Sequence, residues 1–155
     1  MTLYERDYYR DDGRRGSPFA RMPQTVLGWL IAVNIGVWLL QVLTGGNDGP
    51  ITRLLGASAD SVFDFHVYKL VTANFAHDCK GVWHLAWNML FLYFFGRELE
   101  QIYGRRDFLT FYLLAGTLAI LVEILSQGLW GNPATRVLGA SGAVMGVVVL
   151  FTLFY

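Results

Sequence analysis

FLTFYLLAGTLAILVEILSQGLW, residues 108–130, runs for 23 residues with a single charge, Glu123. About 20 consecutive apolar residues wound as an α-helix cross the hydrocarbon core of a bilayer, so this stretch is long enough to span one, and it sets the fold class. Working back from it, residues 82–95 form a shorter apolar run that carries His84 and Asn88 among aromatic and aliphatic side chains. Before that comes Val26–Leu43, 18 residues with Trp29 and Trp38, ended by Thr44-Gly45-Gly46-Asn47. Working forward, a fourth run begins near Leu138 and is still apolar at Tyr155. The expected fold is all-α, a polytopic bundle of transmembrane helices with four spans present.

The composition of the 155 residues agrees: 54% are hydrophobic and 15% charged, against about 25% charged in soluble domains. Lys and Arg are absent from all four apolar runs. Four such runs cannot be hidden in so small a soluble core, and the pattern excludes intrinsic disorder and a disulfide-rich secreted domain. The formal net charge of zero leaves no basic excess to neutralise phosphate backbones, which excludes nucleic acid as a partner. The lipid bilayer takes that place. Cys79 is the only cysteine, so no internal disulfide is possible.

Residues 1–25 are polar, with Arg and Asp alternating from Arg6 to Arg15, and read as a solvated tail ahead of a membrane domain at 26–155. Residues 44–83 carry Phe63, Phe65, Tyr68, Phe75 and Trp83, too aromatic for a plain linker, and are expected at the membrane interface. Five basic residues lie in the tail and three (Arg97, Arg105, Arg106) in the turn expected after residue 95, whereas residues 131–137 hold only Arg136. Lys and Arg near span ends stay cytoplasmic, so the amino terminus is expected inside, and the long loop and the start of the fourth span outside.

Polar groups inside spans need protein or water around them. His84 and Asn88 are four apart and therefore share a helix face. They can donate into one small volume, or can satisfy each other or a nearby carbonyl. Ser141 opens the fourth run in Gly139-Ala140-Ser141-Gly142-Ala143-Val144-Met145-Gly146. Gly142 and Gly146 make a G-x-x-x-G face that admits a close neighbour. A serine hydroxyl beside the unpaired N–H groups of a helix start suits a nucleophile with its oxyanion site, and equally a simple helix cap. Glu123 lies within two turns of Trp130, where it can reach water, and is given no catalytic role. Cys79 reads as an ordinary loop thiol.

Together, His-x-x-x-Asn on the second span, Gly-x-Ser-Gly at the outer start of the fourth and a long aromatic first loop resemble the rhomboid family of intramembrane serine proteases. The segments 93–100 and 111–116 also look like the family's. The resemblance implies Ser141 as nucleophile, with His84, Asn88 and the Ser141 N–H stabilising the oxyanion. It further implies transmembrane protein substrates cut near their outer ends, with no cofactor and no metal, in a bacterial-type plasma membrane. His77 resembles a structural histidine at the end of the family's first loop, and Tyr68-Lys69 stand where a Trp-Arg pair is usual. The spacing from His77 to His84 is wider than in the best-known bacterial pattern.

In this family the general base is a histidine on a sixth span, in an Ala-His-x-x-Gly context. His66, His77 and His84 all precede Ser141. The dyad is thus expected to be incomplete, and the chain is expected to be the front portion of a longer rhomboid, with four of six spans, inactive by itself. The alternative is a non-catalytic rhomboid-like protein that binds transmembrane helices. Retention of Ser141, His84 and Asn88 favours the protease; the missing later histidine favours the binder. A half-transporter would spread its polar groups along the spans.

Overall fold

The computed structural model describes residues 25–154; the polar tail, Thr25 apart, lies outside them. Seven α-helices occur among the described residues: α1 (Val26–Leu43), α2 (Pro50–Leu55), α3 (Ala59–Phe63), α4 (Lys69–Thr72), α5 (Val82–Tyr103), α6 (Arg105–Trp130) and α7 (Ser141–Phe154). Short 3-10 turns fall at Gly46–Asp48 and Ala73–Phe75. The described residues hold no strand, only an isolated antiparallel bridge between Ala57 and Val137. The architecture is all-α, and α1 and α6 are long and apolar enough to cross a membrane. The outer side of α6 exposes Leu114, Leu118, Val122, Leu125 and Leu129, an apolar stripe that suits lipid rather than water.

The first helix begins where its backbone donors find partners. Thr25 caps it by accepting the Gly28 N–H at 3.0 Å. The two oxygens of Glu100 accept the Val26 and Leu27 N–H groups at 2.8 and 2.9 Å. These are donors that the helix cannot satisfy internally, and a carboxylate at the positive end of a helix dipole is stabilised there.

Glu100 belongs to a stretch that the sequence reading assigned to a turn after residue 95. The structure corrects this: α5 stays helical to Tyr103, and the reversal is made at Gly104 alone, with φ +82°. The helix continues because Leu92, Gly96, Leu99 and Glu100 recur on one buried face. Gly96 acts there as a packing residue, since a Cβ would stand 3.0 Å from Leu27 Cδ1 and Phe108 Cζ.

The main core joins Leu27 and Leu30 of α1, Leu85, Met89, Leu92 and Leu99 of α5, Phe108 and Tyr112 of α6, and Ala143, Val144 and Val147 of α7. The contact between α6 and α7 is made of small residues. A Cβ on Gly142 would collide with that of Ala119, and one on Gly146 would come 2.8 Å from that of Ala115. Such small faces let helices associate by close van der Waals contact where no water is displaced.

Replacing Glu100 with Ala removes both acceptors from buried donors and is expected to cost about 2 kcal/mol. Reversible unfolding in mixed micelles measures this, with Glu100→Gln, which keeps one acceptor, losing less.

Candidate active site

The long first loop is tied to α1 by one buried glutamine. Gln41 Oε1 accepts the His77 N–H at 2.9 Å, while its Nε2 donates to the His77 carbonyl at 3.1 Å and to Thr52 Oγ1 at 2.9 Å. Thr52 in turn donates to the Gly46 carbonyl at 2.6 Å. Gln41, Thr52 and His77 are all 0% exposed, so an early and a late part of the loop converge on a single amide. Beyond His77, Asn47 Nδ2 donates to Asp78 Oδ1 at 2.6 Å, and Asn47 Oδ1 accepts the Cys79 N–H at 2.8 Å. The residues between His77 and His84 make a turn held by these bonds. They deliver the chain to α5, whose third residue is His84.

A second set of bonds delivers Ser141. Ala57 and Val137 exchange backbone bonds of 3.1 and 2.7 Å, and the Gly139 N–H donates to the Ala73 carbonyl at 2.9 Å. Gly139 then turns with φ +129°, a conformation that glycine adopts without steric cost. The helix opens at Ser141. The Val144 N–H bonds to the Ala140 carbonyl at 2.9 Å, which leaves the preceding N–H groups of the first turn without partners inside the helix.

Ser141 and His84 flank the position a Cβ on Gly139 would take, which lies 3.6 Å from Ser141 Oγ and 3.5 Å from His84 Nε2. Both line a cavity of about 600 Å³, together with Asp78, Glu123, Arg136 and Gly142. Asn88 lies one turn further along α5, 7% exposed, with its amide nitrogen bonded to the His84 carbonyl at 3.0 Å. Of the three residues singled out from the sequence, Ser141 and His84 therefore share one cavity. Asn88 stands behind His84 on the same helix and braces its backbone.

The arrangement has the parts needed to hold an acyl group: a hydroxyl, an imidazole, and backbone donors at a helix start where negative charge is favoured. Among the described residues, no three His, Cys, Asp or Glu side chains gather as a metal site.

Around this pair the loop is electrostatically set. The Asn47 amide and the Lys80 N–H hold the Asp78 carboxyl below its ordinary range, and burial pushes the Cys79 thiol up. His77 is the most perturbed: burial lowers it from 6.5 to about 4. Its Nδ1 lies 3.3 Å from the Phe75 carbonyl, so the neutral ring donates there and turns Nε2, the acceptor, inward. Its ring centroid is 5.9 Å from that of His84.

The profile of the Rhomboid domain matches residues 64–155 of this chain, the part that contains His84, Asn88 and Ser141. The chain belongs to the rhomboid family. Rhomboid protease GluP of Bacillus subtilis is 34% identical over 118 residues, covering 75% of this chain and 22% of that protein. Rhomboid-like protease 3 of Toxoplasma gondii is 28% identical over 124 residues, 77% of this chain and 44% of its own length. Rhomboid protein 1, mitochondrial, of Saccharomyces cerevisiae is 31% identical over 143 residues, 88% of this chain and 38% of that one. The chain thus spans less than half the length of these relatives. No solved structure matches it. The family and the apolar helices make this an integral membrane protein.

Three features of this rhomboid were not legible from spacing. Gln41 lies near the end of an apolar run, the positive φ of Gly139 leaves no mark in its small-residue motif, and Glu123, seven residues before Trp130, lines the cavity of Ser141. Gln41 alone left a trace in the sequence, as an amide in the last turn of an otherwise apolar run.

Because folded His77 stays neutral down to about pH 4, the unfolded chain takes up a proton below about pH 6.5 that the folded chain does not. Stability should therefore fall between about pH 6.5 and 4, by up to about 3 kcal/mol, and level off below that. Unfolding measured across this range should show the slope in the native chain and lose it in His77→Gln.

Proposed function

We propose that this chain is the amino-terminal part of an intramembrane serine endopeptidase that cuts transmembrane segments of membrane proteins. Ser141 is the nucleophile in this reading. The observation that carries it is the approach of Ser141 Oγ and His84 Nε2 to the same point beside Gly139, on the wall of a cavity large enough for a peptide segment. His84 and the Ser141 N–H stabilise the oxyanion, and Asn88 fixes the first turns of α5 through the His84 carbonyl. The helix α7 contributes its unpaired N–H groups and the favourable end of its dipole.

In this reading four helices span the bilayer, α1, α5, α6 and α7, within a membrane domain from residue 26 onward, and the amino terminus is cytoplasmic. Arg97, Arg105 and Arg106 then face the cytoplasm, and Ser141 opens toward the other side. A bacterial-type plasma membrane fits the topology. Substrate residues leave their own helix to enter the cavity, since a peptide bond inside a helix is sterically closed to attack.

A serine needs a base to take its proton. The ring of His77 is fully buried, out of reach of a serine exposed at the cavity, and His84 serves the oxyanion. Residues 1–155 alone are accordingly expected to be inactive, with the base supplied by a histidine from outside them.

Labelling by a fluorophosphonate, which requires an activated serine, tests this. The gene product purified from its native membrane should be labelled, Ser141→Ala should abolish the labelling, and a polypeptide of residues 1–155 should stay unlabelled. Failure of the native protein to label would turn the reading toward a non-catalytic binder of transmembrane helices.

A further inference from the structure

A second cavity, of about 460 Å³, lies between the start of α1 and the junction of α5 with α6. It is far from Ser141: thirteen residues of α5 separate His84 from Arg97, about 20 Å of helix. Its walls are of two kinds. Leu27 and Tyr93 supply apolar surface, and Arg97, Gln101 and Arg105 supply donors.

Tyr93, Arg97 and Gln101 are successive residues at spacing four on α5 and form one stripe. Gly104, with φ +82°, turns the chain so that Arg105 joins them from the first residue of α6. The one carboxylate in the lining, Glu100, is already engaged by the Val26 and Leu27 N–H groups. It reaches Arg105 only through Nε at 4.0 Å, and the Arg105 side chain is 65% exposed. Among the described residues Arg97 makes no ion pair. Two guanidinium groups therefore converge on one cavity with most of their donors unspent.

We propose that this cavity binds the phosphate of an anionic phospholipid headgroup. Guanidinium forks match phosphate geometry, and basic pockets between helix ends are suited to acidic headgroups. The same donors would recognise free phosphate. The mixed lining favours the lipid, because Leu27 and the exposed ring of Tyr93 offer the glycerol and first acyl carbons an apolar wall that a bare anion does not use. A headgroup there touches both α1 and the α5–α6 junction, and so joins the two elements that Glu100 also joins.

The test is native mass spectrometry of the full chain in a neutral detergent, titrated separately with dioleoylphosphatidylglycerol, dioleoylphosphatidylcholine and inorganic phosphate. Phosphatidylglycerol adducts are expected at lipid concentrations about tenfold lower than phosphatidylcholine adducts. Arg97→Gln and Arg105→Gln should each weaken them about fivefold. Arg106→Gln removes the same charge from the same turn but outside the cavity, and should leave them within about twofold. Arg97→Lys and Arg105→Lys keep the charge and should keep the preference, which separates loss of the site from loss of the fold. Equal adduct formation by the two lipids, or an equal effect of Arg106→Gln, would overturn the proposal. Displacement of phosphatidylglycerol by millimolar inorganic phosphate would reassign the cavity to a soluble anion.

Discussion

The bond from the Gly139 N–H to the Ala73 carbonyl is the constraint on which the site depends. Ser141 lies two residues beyond it, at the start of a helix whose first turn must face the cavity. Without an anchor the chain between α6 and α7 would be free to rotate, and the hydroxyl with it. The bond, together with the two exchanged by Ala57 and Val137, makes the first loop a template for the segment that leads into α7. The template is itself held by Gln41 from α1. Position is thus passed from a spanning helix, through a buried amide, to the loop, and from the loop to the serine. Buried backbone groups of this kind must be paired, and the pairing dictates geometry as well as stability.

The fold class and the apolar helices were legible because hydrophobic periodicity and length are strong signals in a chain with so few charges. So was the small face of α7, since Gly142 and Gly146 can be read directly as a close-approach motif, and Ala115 and Ala119 provide the facing surface. The extent of α5 was not. Gly96, Arg97 and Glu98 look like a turn to any reading that counts charges. What keeps them helical is tertiary: Gly96 receives Leu27 and Phe108, and Glu100 receives the end of α1. Neither contact has a signature within the segment itself.

At the site, His84 and Ser141 stood out through two weak motifs taken together, while the turn that brings both to one cavity did not. Gly139 works through a positive φ, which one sequence does not reveal. Asn88 illustrates the opposite limit. Its spacing from His84 predicted a shared face correctly, but a shared face does not decide whether a side chain points its amide at a ligand or at its own backbone. The amide nitrogen bonds to the carbonyl one turn back, an option open to any asparagine within a helix.

The antiparallel bridge between Ala57 and Val137 carries a consequence for biosynthesis. Each partner lies roughly 80 residues from the other, so at ribosomal rates of about 5–20 residues per second the first loop waits about 4 to 16 s for the strand that completes it. Through that interval α1 and α5 have already been made, with His84 in place. Ser141 arrives with the segment that carries the bridge and not before. The order of emergence therefore places His84 in the chain first, and the bonds that aim the start of α7 can form only as Ser141 itself emerges.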